Sequence, residues 1–140
     1  MLDTNICSYI IRHRPAEVAI KFQALKMNDC CISVMTYAEL KQWVIKNKRL
    51  HLKSNNEGSP KFDEYIINNF VAHLDIVEFD AGAADIYAKI CDDLEAKGKI
   101  GTNMDLLIAA HAISIDAVLV TNNIKDFVNI PNLQLENWVK

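Results

Sequence analysis

Several features that mark other classes of protein are missing from this 140-residue sequence. No apolar run approaches the roughly 20 residues that a helix needs to span a bilayer, so we expect no membrane-spanning segment. The first residues do not combine a charged segment with an apolar stretch, which predicts no signal peptide and a cytoplasmic location. There is also no internal repeat and no low-complexity tract. With 51% hydrophobic and 24% charged residues, the chain is predicted to form one globular domain, residues 1–140.

Cysteines spaced for zinc binding are lacking as well. Of the four cysteines, Cys30 and Cys31 are neighbours and would point to opposite faces of a strand. They cannot both bind one ion in the C-x-x-C manner, so a zinc site is not expected. We predict free thiols at all four positions, as is usual in the cytoplasm.

The sequence also lacks an excess of positive charge, because its net charge is −3. This argues against a protein that coats nucleic acid non-specifically, although it leaves room for a local basic patch. We interpret Trp43 and Trp138 as packing or interface residues. One basic cluster is interpreted as a solvated helix end, where cations also suit the helix dipole: Lys46, Lys48, Arg49, His51 and Lys53.

Short apolar segments alternate with helical patterns along the chain. This βααβααβααβ order predicts a parallel sheet that is covered by helices on both faces. Met1-Leu2 is too short to be a whole strand, and 133–138 is either a short strand or an extended tail. Strands are predicted at 31–34, 76–79 and 118–120, helices at 6–12, 16–26, 36–48, 61–74, 80–97 and from 105, and a loop at 54–60.

Acidic side chains are predicted to meet at one edge of this sheet. Right-handed crossovers place the carboxyl ends of parallel strands together, which is where ligands bind in open α/β sheets. Asp3 follows the first apolar segment, and Glu39 lies one turn beyond the second strand. Asp105 opens an almost wholly apolar helix, and polar residues follow the strand at 118–120.

Each of these residues also has a simpler explanation. Asp3 suits an Asx-turn, and Asp105 suits a helix N-cap. Glu39 could close a capping box with Thr36, and Asn123 could be only a turn residue. Their joint placement is what the simpler explanations do not predict.

Three carboxylates in one cleft need a counter-charge. Two unit charges about 4 Å apart repel by about 4 kcal/mol at an effective dielectric constant of 20. Protons or a divalent cation must relieve this repulsion, and oxygen ligands select Mg²⁺ or Mn²⁺. Such ions promote phosphodiester hydrolysis.

Four stretches taken together resemble the PIN-domain ribonuclease toxins of the VapC type, which belong to type II toxin–antitoxin systems. The match keeps the same order over essentially the whole chain and ends with Leu-Glu-Asn-Trp at 135–138. The stretches are MLDTN at 1–5, TYAEL at 36–40, Gly101 followed by DLLIAAHA at 105–112, and VTNN at 120–123 with Phe127.

The resemblance implies a PIN-like (Rossmannoid) three-layer α/β fold, in which a short, mostly parallel sheet of four to five strands has helices on both faces. It implies a Mg²⁺- or Mn²⁺-dependent endoribonuclease that hydrolyses RNA phosphodiester bonds and arrests translation, with tRNA, and initiator tRNA in particular, as the leading substrate. It also implies a VapB-like antitoxin as partner, a homodimer, and a higher assembly with the antitoxin.

The resemblance assigns roles to individual residues. Asp3, Glu39 and Asp105 match the three core acids, which are catalytic and bind the metal. Asn123 stands where many PIN domains have a fourth acid, and Asp126, one turn later, is the proposed substitute.

Asn5 and Thr121 match polar residues that hold the acids or water. His111, inside the apolar helix, is interpreted as a hydrogen-bonded core or interface residue and not as a general base.

Two departures from the family pattern leave an alternative open. Three residues, 102–104, separate Gly101 from Asp105 where the family usually has two, so the extra residue is either absorbed in the loop or displaces Asp105. The family also usually has apolar residues before MLDTN, and their absence suggests either a late start site or a trimmed chain. The alternative is a catalytically impaired PIN-like module that acts only by binding antitoxin or RNA. A phosphoacceptor protein fits less well, because only Asp3 and Lys125 lie near the places its site would need.

Overall fold

The computed structural model describes residues 1–26, 28–54, 64–99 and 103–140. None of the helices in these ranges is long and apolar enough to cross a membrane. The helices are α1 (Thr4–Arg12), α2 (Ala16–Gln23), α3 (Val34–Ser54), α4 (Glu64–Val71), α5 (Ala81–Ala96), α6 (Asn103–Ser114) and α7 (Ile124–Phe127), and the strands are β1 (Cys31–Ser33), β2 (Asp75–Val77), β3 (Leu119–Val120) and β4 (Leu135–Glu136).

The sheet is parallel and is joined at its centre by a single residue. Strand β1 pairs with β2, and β3 pairs with β4. Leu2 bridges Ile32 of β1 on one side and Val120 of β3 on the other, both in parallel. Its amide donates to the Cys31 carbonyl at 2.9 Å, and the amide of Asp3 donates to the Val120 carbonyl at 3.0 Å. The order is therefore β2-β1-Leu2-β3-β4, which confirms the predicted parallel sheet with a first strand reduced to this bridge.

Helices cover both faces of the sheet. One apolar cluster joins the sheet to α1–α4 through residues such as Ile6, Leu40 and Ile67. A second cluster joins the other face to α5–α7 through residues such as Ala109 and Phe127. This arrangement confirms the predicted three-layer α/β fold.

The neighbouring cysteines divide between the two faces as predicted. Cys30 is buried in the first cluster, and Cys31 packs against the second. All four cysteines are free thiols, in agreement with the sequence prediction.

Helix α5 begins and ends where its sequence predicts. The Asp80 carboxylate caps it by accepting a hydrogen bond from the amide of Ala83 at 2.9 Å. Just beyond its last turn, Gly98 adopts a positive φ of 67°, which glycine tolerates best. Helix α5 packs extensively against α6, whose residues 108–112 are all buried.

The predicted start of α3 is wrong. The helix begins at Val34, so Thr36 lies inside its first turn and cannot be the N-cap. Ser33 takes that role, because its hydroxyl accepts a hydrogen bond from the amide of Met35 at 3.0 Å. The helix also continues to Ser54, beyond the predicted end near Lys48.

Other element ends differ from the predictions by a few residues. Helix α1 starts two residues early at Thr4, and α2 stops at Gln23. Strand β2 starts one residue earlier and ends two residues earlier than predicted, and Ser54, predicted to open a loop, ends α3. The rest of that predicted loop, 55–60, and the first residues of the predicted fourth helix, 61–63, lie outside the described residues.

Candidate functional site

Asp3 lies where the central bridge of the sheet meets α1. It is the N-cap of α1, and its Oδ1 accepts a hydrogen bond from the Ile6 amide at 2.8 Å. The side chain of Thr121, which follows β3, also hydrogen-bonds to this carboxylate. Asp3 is only 6% exposed, and Thr121 is fully buried. The carboxylate is therefore held from two sides at the sheet edge.

The electrostatics of Asp3 involve both of the other predicted acids. Burial raises the pKa of Asp3 above its ordinary value of 3.8, and the hydrogen bonds from Thr121 and Ile6 oppose that rise. The charges of Asp105 and Glu39 both raise the pKa further. Glu39 and Asp105 are half-buried. The Asp3 carboxylate, which caps α1, therefore interacts electrostatically with acids of α3 and α6. We refer to the region of these three acids as the cleft.

Glu39 is held by a residue that the sequence analysis did not single out. The Thr4 hydroxyl donates to Glu39 Oε1 at 2.6 Å, and the Thr4 oxygen lies 3.4 Å from the hydroxyl oxygen of buried Thr36. The carboxylate therefore points across to α1 instead of closing a capping box, and that simpler explanation is wrong. The feature of the sequence that could have indicated this contact is the hydroxyl side chain of Thr4, directly after Asp3.

Asp105 lies in the first turn of α6 and is not its N-cap. The helix already begins at Asn103, so the cap explanation is wrong here too. Residues 101 and 102 lie outside the described ranges, yet Asp105 is close enough to Asp3 to raise its pKa.

A short chain of hydrogen bonds connects the cleft to α7. Thr121 Oγ1 accepts from the amide of Asn123 at 2.9 Å, and the Asn123 side-chain amide donates to the Asp126 carboxylate. Asp126 is exposed at the start of α7. It thus connects to Asp3 through Asn123 and Thr121. Asn5 is exposed in the first turn of α1, and its supporting role stays a prediction.

His111 is a core residue, as predicted. Its Nδ1 lies 2.8 Å from the Ser33 hydroxyl, and its ring meets Phe79 edge-on at 5.4 Å between centroids. Within the described residues, Nε2 is buried without a hydrogen-bond partner. Burial lowers the pKa of His111, and the Glu78 carbonyl and the charge of Asp80 oppose that shift. His111 therefore connects α6, which carries Asp105, to the cap of the Glu39 helix.

The chemistry of the cleft fits a hard divalent cation. Its donors are carboxylate and hydroxyl oxygens, which Mg²⁺ and Mn²⁺ prefer. Over the ranges that the structure describes, no three His, Cys, Asp or Glu side chains are already gathered closely enough to hold a metal ion. The three acids would have to move closer together to hold an ion.

Similarity to known proteins identifies the fold family. A family model described as PIN domain matches residues 1–133. Ribonuclease VapC2 of Rickettsia felis is 43% identical over 141 residues, with 100% of this chain and 98% of the relative covered. The tRNA(fMet)-specific endonuclease VapC of Shigella flexneri is 33% identical, covering 99% of this chain and 96% of the relative.

A solved structure agrees with these relatives. The crystal structure of VapBC2 from Rickettsia felis, bound to a promoter DNA fragment, contains a chain that superposes with a TM-score of 0.83 at 40% identity. The superposition covers 99% of this chain and 98% of that one. The present chain therefore belongs to the PIN domain family and, within it, to the VapC-type ribonucleases.

Proposed function

We propose that this chain is a Mg²⁺- or Mn²⁺-dependent endoribonuclease and the toxin of a type II toxin–antitoxin system, acting as a single domain over residues 1–140. The observation that carries the proposal is the electrostatic influence of Glu39 and Asp105 on buried Asp3. In this proposal, three acids from distant parts of the chain act together at the carboxyl edge of a parallel sheet, where α/β proteins bind ligands.

Asp3, Glu39 and Asp105 would hold the cation in this proposal. When bound, the ion supplies positive charge to a phosphate oxygen and lowers the pKa of a water that attacks the phosphorus. The protein's own contribution is orientation. Thr121 and the Ile6 amide fix Asp3, and Thr4 fixes Glu39 at 2.6 Å. Locked carboxylates bind with less loss of side-chain entropy.

At the place where many PIN domains have a fourth acid, we propose that Asn123 and Asp126 act together. Asn123 donates to Asp126, so the amide holds the exposed carboxylate beside the cleft. We assign Asp126 a catalytic role at the rim, with Asn123 and Asn5 in support. This assignment follows the hydrogen-bond chain that runs from Asp3 through Thr121.

The substrate and partner follow from the relatives. The Shigella flexneri relative is named for tRNA(fMet), so we propose tRNA, and initiator tRNA first, as the substrate. Cleavage of that substrate would inhibit translation. The Rickettsia felis relative is solved as a VapBC2 complex, so we propose a VapB-like antitoxin as partner of a homodimeric toxin in the cytoplasm.

The test of this function is RNA cleavage by purified protein. Cleavage is expected with Mg²⁺ or Mn²⁺ and not with EDTA, and Asp105→Asn should lose at least a hundredfold in rate because one metal-binding carboxylate is gone. Asp116→Asn is a matched control, since Asp116 is exposed and follows the end of α6. Equal cleavage by the Asp105→Asn protein would contradict the role of Asp105.

One observation favours a second candidate function. The acids are not already gathered into a metal-binding group within the described residues, which suits an impaired module that only binds antitoxin or RNA. Isothermal titration with Mn²⁺ separates the two candidates. Binding that is lost in Asp105→Asn supports the nuclease, and no binding by the unsubstituted protein supports the module.

A further inference from the structure

A pocket of about 290 Å³ lies between the end of α1 and the middle of α3. Arg12 is the last residue of α1, and the other lining residues belong to α3. The lining combines two cations, an indole ring, an amide and one aliphatic side chain: Arg12, Trp43, Lys46, Asn47 and Leu50.

The pocket and the acidic cleft lie along the same pair of helices. Trp43, Lys46 and Leu50 follow Glu39 by 4, 7 and 11 positions, a spacing that places them on the Glu39 face of α3. Near the start of α1, Thr4 contacts Glu39, and at its end Arg12 lines the pocket. The eight residue steps from Thr4 to Arg12 correspond to about 12 Å of helix at about 1.5 Å per step.

The lining chemistry matches a single-stranded nucleic acid. Such sites combine cations that follow the phosphates with an aromatic ring on which a base stacks. At about 3.4 Å per stacked nucleotide, the separation of about 12 Å spans about three to four nucleotides.

We propose that this pocket is an RNA subsite about three to four nucleotides from the scissile phosphate, in which a base stacks on Trp43 and a phosphate contacts Arg12 and Lys46. The inference rests on the proposed ribonuclease function and deepens it. It also revises the interpretation of the basic cluster. Lys48 pairs with Glu64 of α4 at 2.6 Å, whereas Lys46 lines the pocket.

Binding to RNA tests the subsite without relying on activity. The Asp105→Asn protein is titrated onto a fluorescein-labelled, mixed-sequence RNA of about 12 nucleotides, within the length range of single-strand sites. Introducing Lys46→Gln into this variant should weaken its binding to the RNA. The slope of log affinity against log salt concentration should also decrease by about 0.7, the value for one lost phosphate contact. Lys48→Gln, the same change on the opposite side of α3, should leave affinity and slope unchanged.

The aromatic contact has its own pair of variants. Trp43→Phe keeps a stacking surface and should bind nearly as well, whereas Trp43→Leu should bind roughly five- to a hundredfold more weakly. Because Trp43 also packs against the core, circular dichroism of both variants checks the fold.

The outcomes separate this inference from the function on which it rests. If the unsubstituted protein cleaves RNA with Mn²⁺ but Lys46→Gln and Trp43→Leu bind the labelled RNA normally, the subsite is wrong and the nuclease stands. If no cleavage occurs and both variants bind weakly, the pocket stands as an RNA-binding site and the nuclease is wrong. Normal RNA affinity with loss of co-purification with a VapB-like antitoxin would assign the pocket to that protein and overturn the proposal.

Discussion

At the scale of single residues, Asp3 serves two purposes, and only one of them requires a charged carboxylate. As the N-cap of α1 it accepts a hydrogen bond from Ile6, and an amide oxygen would do this equally well. As an acid of the cleft it is buried beside Glu39 and Asp105, which makes its anion unfavourable without a counter-ion. The Asp3 carboxylate therefore costs folding free energy when metal is absent.

Asp3→Asn should stabilise the metal-free protein at neutral pH. Because the folded pKa lies above the unfolded value of 3.8, this group favours folding at low pH, and its contribution is lost as pH rises through the folded pKa. Urea unfolding in EDTA should show the free energy of unfolding falling across that window, by at most about 1.4 kcal/mol per pH unit. The Asp3→Asn variant should not show this decrease in the free energy of unfolding as the pH rises. An identical pH profile for both proteins would contradict the prediction.

Thr4→Val should weaken catalysis by removing the donor to Glu39 while keeping the shape of the side chain. The hydrogen bond to a charged acceptor contributes about 1.5–3 kcal/mol, so kcat/KM should fall roughly ten- to a hundredfold if that energy holds the carboxylate in place. Thr4→Ser retains the hydroxyl and is the control. Initial rates on one RNA at saturating Mn²⁺ provide the comparison, and equal loss in both variants would indicate a packing defect instead.

At the scale of the elements, capping residues in the sequence set the ends of a helix where no other residue offers a competing cap. Asp80 caps α5 and Gly98 follows its end, as the sequence predicts. At α3, by contrast, Ser33 provides a cap ahead of Thr36, so the helix starts earlier. The His111 contact to Ser33 then connects that cap to α6.

Asp80→Ala should destabilise the protein by about 1 kcal/mol, since the amide of Ala83 would lose its acceptor. Asp85→Ala is the matched control, because Asp85 is exposed inside the same helix, where alanine has the higher helix propensity. Urea unfolding of both variants gives the comparison. A loss of stability in Asp85→Ala as large as in Asp80→Ala would show that the cap is not the cause.

At the scale of the whole molecule, a net charge of −3 and three acids in one cleft leave the fold short of positive charge at its functional edge. A cation that binds the folded chain alone would relieve that repulsion and shift the unfolding equilibrium. The stability of the molecule is therefore expected to depend on divalent ions as well as on its apolar core.

Adding Mn²⁺ at about a hundred times its Kd should stabilise the folded protein by about 2.7 kcal/mol, which for a chain of this size raises Tm by several degrees. Asp105→Asn should show little of this rise, because its cleft lacks one ligand. Differential scanning calorimetry with Mn²⁺ and with EDTA measures the difference. A similar rise in both proteins would point to binding elsewhere on the surface.

The sequence alone determined the features that depend on neighbouring residues. Alternating apolar and helical patterns predicted the parallel sheet and its two helical layers, and the motifs around Asp3, Glu39 and Asp105 gave the acids that we propose as the site. Such signals work because helix periodicity, caps and strand ends are governed by residues a few positions apart.

Only the tertiary structure decided what holds those acids. The Thr4 contact to Glu39 spans 35 positions, and the Thr121 contact to Asp3 spans the sheet, so no local pattern specifies either. The same is true of Leu2, which forms a strand of one residue because partners on both sides complete its hydrogen bonds. Contacts between distant residues are set by how the layers pack, and packing is a property of the whole chain.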